Sequence, residues 1–246
     1  MKRHILILLA LLIPAVLNAA YLYVDGGDHE TGVTWDDTDG HSYTSSAEGF
    51  PGAGTGYNTI AAAVAAVATG DTIYMRGGTY NEHDITIPND VEGPAWTTLC
   101  SYPGEWAILD GNDVQDAAIT HTPGFEEYQK RNLTNQTSYW KFERFEITEY
   151  AAAFWFSGGP QWYRYLYIHD CISDTPLSAG IWITLPHDCI IEYCYFYNNN
   201  QSSPTNAQFG HISFMADYLD DENPTTFNPD VCTKKNIVRY NYFNTG

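Results

Sequence analysis

The stretch CIIEYCYFYN (residues 189–198) returns near the end of the chain as NIVRYNYFNT (residues 236–245). Both runs are short, mix apolar and polar residues at strand-like alternation, and lack a helical period. Two more runs, YWKFERFEIT (139–148) and QWYRYLYIHD (161–170), have the same texture. Aligned, the four place Phe145/Ile147, Leu166/Ile168, Cys194/Phe196 and Asn241/Phe243 in register, with last members 21 (147 to 168), 28 (168 to 196) and 47 residues (196 to 243) apart. The longest gap is one coil carrying an insertion, or two coils. Between these runs lies a second series, AFWFS (153–157), GIWIT (180–184) and HISFM (211–215). A unit of two or three short strands that recurs without helices is the signature of a solenoid. A sandwich would be expected to join its strands by tight Asn-Gly hairpins, and none connects these runs.

Upstream, YNTIAAAVAAVATG (57–70) holds the one convincing helix, expected over about 59–69. Asn58 or Thr59 can cap it, Ile60, Val64 and Val67 recur at helical spacing, and Gly70 ends it. Short apolar runs divided by turn residues follow: DTIYM, HDITIP, TTLCSY, WAILDG and AAIT. The first 19 residues read as a signal peptide, with Lys2 and Arg3 ahead of an apolar core that ends in small residues. Residues 20–56 read as an extended or loop segment and 57–246 as the solenoid. The chain stops within a recognisable coil, which suggests an N-terminal part of a longer protein.

Net charge is -19, from 11 basic and 30 acidic residues. That balance excludes nucleic acid, which needs a basic face. No second apolar run is long enough to cross a bilayer. The five cysteines form no CxxC pair, which disfavours zinc. Buried free thiols are the preferred reading, with a Cys171–Cys189 disulfide the alternative.

GDTIYMRGGTYNE (70–82), preceded by the alanine-rich helix and followed by SYPGEWAILDG (101–111), resembles the opening of secreted proteins of the pectin-lyase-like superfamily, and the later runs resemble its coils. The resemblance implies an all-β right-handed parallel β-helix with an N-terminal capping α-helix. It also implies a glycan-facing sheet holding the AFWFS-type runs. The superfamily includes polysaccharide lyases, glycoside hydrolases and non-catalytic surface proteins, so it implies no single activity.

Alternation in AFWFS and GIWIT turns Phe154, Phe156, Ile181 and Ile183 inward and Trp155 and Trp182 outward. Three outward columns follow: Ala153/Gly180/His211, Trp155/Trp182/Ser213 and Ser157/Thr184/Met215. Stacked indoles beside small hydroxyls suit the apolar faces of pyranose rings, so Trp155, Trp182, Ser157, Thr184 and Ser213 are the candidate substrate-binding residues. Lyases commonly use Lys or Arg as base, and Lys141, Arg144, Arg164, Lys234, Lys235 and Arg239 all lie outside these columns. A hydrolase needs two carboxyl groups across the bond. Asp170, Asp188 and Asp217, with His211 as acid, are the catalytic candidates, although turn aspartates are common without function. Calcium, a cation with hard oxygen ligands, has two possible clusters, Asp36/Asp37/Asp39 and Asp217/Asp220/Asp221/Asp230. The expected protein recognises and cleaves an extracellular polysaccharide; the alternative is a non-catalytic surface or adhesion solenoid.

Overall fold

The computed structural model describes residues 19–25, 42–43, 54–88, 95–112, 117–121, 138–156, 163–174, 179–184, 186–197, 211–215 and 235–244. Three parallel sheets of ten, six and five strands, here sheets A, B and C, run through the described residues, sheet A from Tyr21 and sheets B and C from Gly78 and Ile85. Each coil visits them in that order. The coil from 138 to 156 shows it: Ser138–Glu143 in sheet A, Phe145–Thr148 in sheet B, Ala152–Phe156 in sheet C. This is a right-handed parallel β-helix, the hand that parallel crossovers adopt. One antiparallel pairing, Ser42–Tyr43 against Gly54–Tyr57, lies at the end of sheet A.

The unit that builds the later coils is eight residues long and bent at its fifth. WKFERFEI (140–147), LYIHDCIS (166–173), CIIEYCYF (189–196) and NIVRYNYF (236–243) stack on one another in register. The first, third, sixth and eighth residues face inward: Trp140, Phe142, Phe145 and Ile147 are buried, as are Leu166, Ile168, Cys171 and Ser173, and then Cys189, Ile191, Cys194 and Phe196. The fifth residue is the corner from sheet A to sheet B. Arg144, Asp170, Tyr193 and Tyr240 all take left-handed φ there, at 60°, 52°, 57° and 57°. Such φ is uncommon outside glycine, and here the corner residue remains in the ladder: Arg144 N–H donates to His169 O at 3.2 Å and Asp170 N–H to Glu192 O at 3.3 Å. A second left-handed column, Tyr139, Tyr165, Asp188 and Lys235, precedes the unit.

This corner corrects the alignment expected from the sequence. Leu166/Ile168 belongs to sheet A, opposite Trp140/Phe142, whereas Phe145/Ile147 lies opposite Cys171/Ser173 in sheet B. Plain alternation carried across a corner slips by one residue, because the corner residue uses a position without reversing the face. The 47-residue gap is one coil with an insertion, since Ile191 pairs directly with Val238 and Phe196 with Phe243.

The helix spans Ile60–Ala66, shorter than expected. Thr59 caps it by accepting the Ala62 N–H at 3.1 Å. It ends early because Val67 is already extended and the Ala68 N–H is taken by Asp71 Oδ2 at 2.9 Å. Ile60, Ala63 and Val64 join Leu22, Val24, Ile73 and Ile85 in the main core, so the helix closes the first coil. Tyr21–Val24 is a sheet A strand paired with Thr72–Met75. The solenoid therefore begins ahead of residue 57, since the alternation of Leu22 and Val24 supplies two core positions. Cys100, Cys171, Cys189 and Cys194 are buried free thiols; Cys171 stacks on Cys194, and Cys232 lies outside the described residues. Burial raises the thiols of Cys100 and Cys189 to about 12 and that of Cys171 well above its usual value, which leaves them unreactive.

Candidate functional site

Sheet C carries the tryptophans in the register that the sequence predicts. Trp155 pairs with Trp182, with Phe154 opposite Ile181 and Phe156 opposite Ile183. The four partners of the indoles are core residues, so both rings point away from the core. The rings lie parallel, 5.0 Å between centroids and 5° between planes, the spacing that adjacent parallel strands impose. Thr86, Thr120, Trp155, Trp182 and Ser213 form one outward column over five coils. Thr86 and Thr120 could not be read from the sequence, because nothing in DITIP or AAIT ties them to AFWFS.

The two rings are not equally open. Both pack with Ala117, Ala152 and Ala179 into a small apolar cluster separate from the main core. Trp182 is 8 % exposed, while Trp155 stays half-buried. The expectation of two exposed rings is corrected to one open ring backed by a covered one. The hydroxyl of Thr120 donates to the Trp155 carbonyl at 3.0 Å, fixing the strand that presents the open ring.

The column Ala153/Gly180/His211 does not face outward. Ala153 is fully buried in the main core. The His211 ring lies 6.1 Å from Phe196 and 5.2 Å from Phe243, both in the inward column of sheet B. These residues sit at the corner entering sheet C, where alternation restarts. Desolvation lowers the His211 pKa, so the imidazole is neutral near pH 7 and is turned away from the indoles.

Asp170 occupies the corner between sheets A and B, the one corner that does not border sheet C, and its carboxylate meets His169 Nδ1 at 2.9 Å. Asp188 is the left-handed residue ahead of Cys189, and its carboxylate lies 2.6 Å from His187 Nδ1. Both are aspartates in a conformation that Asp tolerates, and each carboxylate faces the histidine that precedes it. Thr184 lies in the same strand as Trp182, opposite Met215. Ser157, Asp217, Asp220, Asp221 and Asp230 lie outside the described residues, as do Asp36, Asp37 and Asp39. Among the described residues no group of three or more His, Cys, Asp or Glu is placed to hold a metal ion.

Three of the basic candidates are engaged, Lys141 and Arg239 on sheet A and Arg144 at the corner into sheet B. Lys141 meets Glu143 at 2.5 Å, Arg144 Nη2 donates to Ser101 O at 3.0 Å, and Arg239 pairs with Glu192. Tyr167 also donates to Glu192, at 2.6 Å. Hydrogen bonds from Arg239 and Tyr167 hold the Glu192 carboxyl below its usual range. On the outer face of sheet B a further carboxyl differs in character: desolvation raises the pKa of Glu146, a hydrogen bond from Trp106 opposes the rise, and the charge of Asp174 on the next strand adds to it.

Comparison with known proteins yields no match: no family model, no curated protein and no solved structure matches this chain.

Proposed function

We propose that this chain is an exported β-helix that recognises an extracellular polysaccharide along the outer face of sheet C, with Trp155 as the contact ring and Trp182 as its support. The observation that carries the reading is the pair of parallel indoles, one of them partly open, in an outward column whose other members are Thr86, Thr120 and Ser213. An aromatic face binds the C–H face of a pyranose, and the hydroxyls beside it exchange hydrogen bonds with sugar hydroxyls. Net charge of -19 favours a neutral glycan over an acidic one. Kinship with the pectin-lyase-like superfamily and export through residues 1–19 belong to the same proposal.

Cleavage of the bound chain, as a hydrolase or lyase, is the further step of this reading. The outward column of Thr86, Thr120, Trp155, Trp182 and Ser213 consists of hydroxyls and rings, which favours recognition over cleavage as its part. The experiment is a tryptophan-fluorescence titration of the exported chain with soluble neutral and acidic polysaccharides, followed by assays for new reducing ends and for unsaturated uronate products. Quenching by a neutral polysaccharide supports recognition, and product formation supports cleavage. No spectral response to any polymer contradicts the reading.

A further inference from the structure

We infer a second ligand site, in the corner between sheets B and C, that takes a neutral polyhydroxylated molecule such as a single saccharide unit. Two successive coils turn from sheet B to sheet C there. Asn81, Glu82 and His83 from the first and Asp110, Gly111 and Asn112 from the second line a cavity of about 490 Å³, a size typical of small-ligand sites. The strands that follow these corners, Ile85–Thr86 and Ala117–His121, precede the strand of Trp155 in sheet C. The site shares no residue with the indole pair and stands independently of the reading above.

The walls are set before any ligand arrives. The two carboxylate oxygens of Glu82 accept the N–H groups of Ile60 at 2.7 Å and Ala61 at 3.0 Å, and its backbone carbonyl accepts the Tyr150 hydroxyl. Gly111 is demanded by close approach, because a Cβ there would meet the Glu149 carbonyl oxygen at 2.4 Å and the Tyr150 ring at 2.8 Å. Asn112 holds a left-handed φ of 49°, and its N–H donates to Asp110 Oδ1 at 2.9 Å. A pocket fixed this way loses little entropy when it binds.

The lining selects the ligand class. Among the described lining residues there are two carboxylates and no Lys or Arg, a set that repels phosphate, sulfate and uronate. A metal ion fits poorly, since both Glu82 oxygens are engaged by helix N–H groups and Asp110 is left as the anionic acceptor. The described lining residues include no large apolar side chain to hold a lipophilic molecule. The amides of Asn81 and Asn112 each offer both donors and an acceptor, and Asp110 adds acceptors. Hydroxyl groups, which also donate and accept, match that set.

The test is saturation-transfer NMR of the whole chain with D-glucose, D-galactose, D-mannose and D-xylose at millimolar concentration. Wild type is compared with Asn112→Gly and Asn81→Ala, each checked by thermal melting. Asn112→Gly removes the amide while keeping a residue at ease with positive φ, so the fold is retained. At least one sugar should bind wild type. Asn112→Gly and Asn81→Ala should each weaken it about two- to ten-fold, the value of one hydrogen bond. The inference is overturned if none of the four sugars binds or if both asparagine variants bind like wild type. Failure of the wild-type chain to bind any polymer, with sugar binding intact, would instead sink the sheet C reading alone.

Discussion

Trp155 lies parallel to Trp182 at 5.0 Å, and the second ring is covered while the first remains partly open. This inequality separates two roles that a simple outward ladder would merge. Trp182→Ala should cost about 2–4 kcal/mol of folding free energy, somewhat less than a core tryptophan. Trp155→Ala should cost about 1 kcal/mol, mostly lost stacking. Denaturant titration of both variants checks this; equal costs would mean that the rings are equivalent.

The eight-residue unit makes a sharp contrast between adjacent positions in sheet B. Ile147 faces inward and Ile172, on the neighbouring strand, faces outward. Ile147→Ala should cost about 2–5 kcal/mol and Ile172→Ala less than about 1 kcal/mol. Ser173, at an inward position, has a buried hydroxyl with no hydrogen-bond partner among the described residues. Ser173→Ala should therefore be neutral or stabilising by up to about 1 kcal/mol. A large loss on removing that hydroxyl would mean that it has a hydrogen-bond partner.

In the last described coil, asparagine replaces the inward cysteines and ties that coil to the one before. Asn236 accepts the Cys189 N–H at 3.0 Å and donates to Pro186 O at 3.0 Å. Asn241 accepts the Cys194 N–H at 2.8 Å and donates to Ile191 O at 2.9 Å. Either Asn→Ala change leaves a backbone donor and an acceptor without these bonds and should cost about 1–3 kcal/mol. Amide hydrogen exchange at Cys189 and Cys194 gives the readout, with faster exchange expected at the residue facing each substituted asparagine. Unchanged protection would show that the amides are not holding the coils together.

Two carboxyls should move stability with pH in opposite directions. The Glu146 pKa is raised, chiefly by desolvation, so folding opposes its ionisation. Stability falls as pH climbs from the unfolded pKa to the folded one and stays lower above it. Glu146→Gln should melt about 1–3 °C above wild type near pH 7, a small gain because the group is partly exposed, and level with it below the carboxylate range. The Glu192 pKa is lowered, first by Arg239, so its stabilising contribution is present above the unfolded pKa and lost as pH falls through the folded one. Glu192→Gln should melt below wild type near pH 7 and converge with it in acid. Melting curves that separate in acid and merge at neutral pH would reverse both signs.

The fold was legible because solenoid strands repeat. The two series of runs, the helix ahead of them and the inward Phe154, Phe156, Ile181 and Ile183 are all visible as local pattern. The pairing of Trp155 with Trp182 was legible for the same reason, since both runs cross one sheet without a corner. Corners hid the rest. A left-handed Arg144 or Asp170 looks like any charged residue in a strand, yet it resets the alternation, and five-residue spacings such as Cys189 to Cys194 and Asn236 to Asn241 were the available clue. His211 was misplaced for a related reason, as it enters sheet C through a corner. The cover over Trp182 and the cavity at Asn81 and Asn112 arise from residues far apart in the chain, which no local pattern joins.

The most direct measurement is the affinity of wild type and Trp155→Ala for a neutral polysaccharide that quenches wild-type fluorescence, with melting temperatures recorded alongside. Loss of the open ring should weaken binding about five- to ten-fold, on the order of 1 kcal/mol of stacking, while the melting temperature drops by only a few degrees. Unchanged affinity in a folded Trp155→Ala protein would contradict glycan recognition on sheet C.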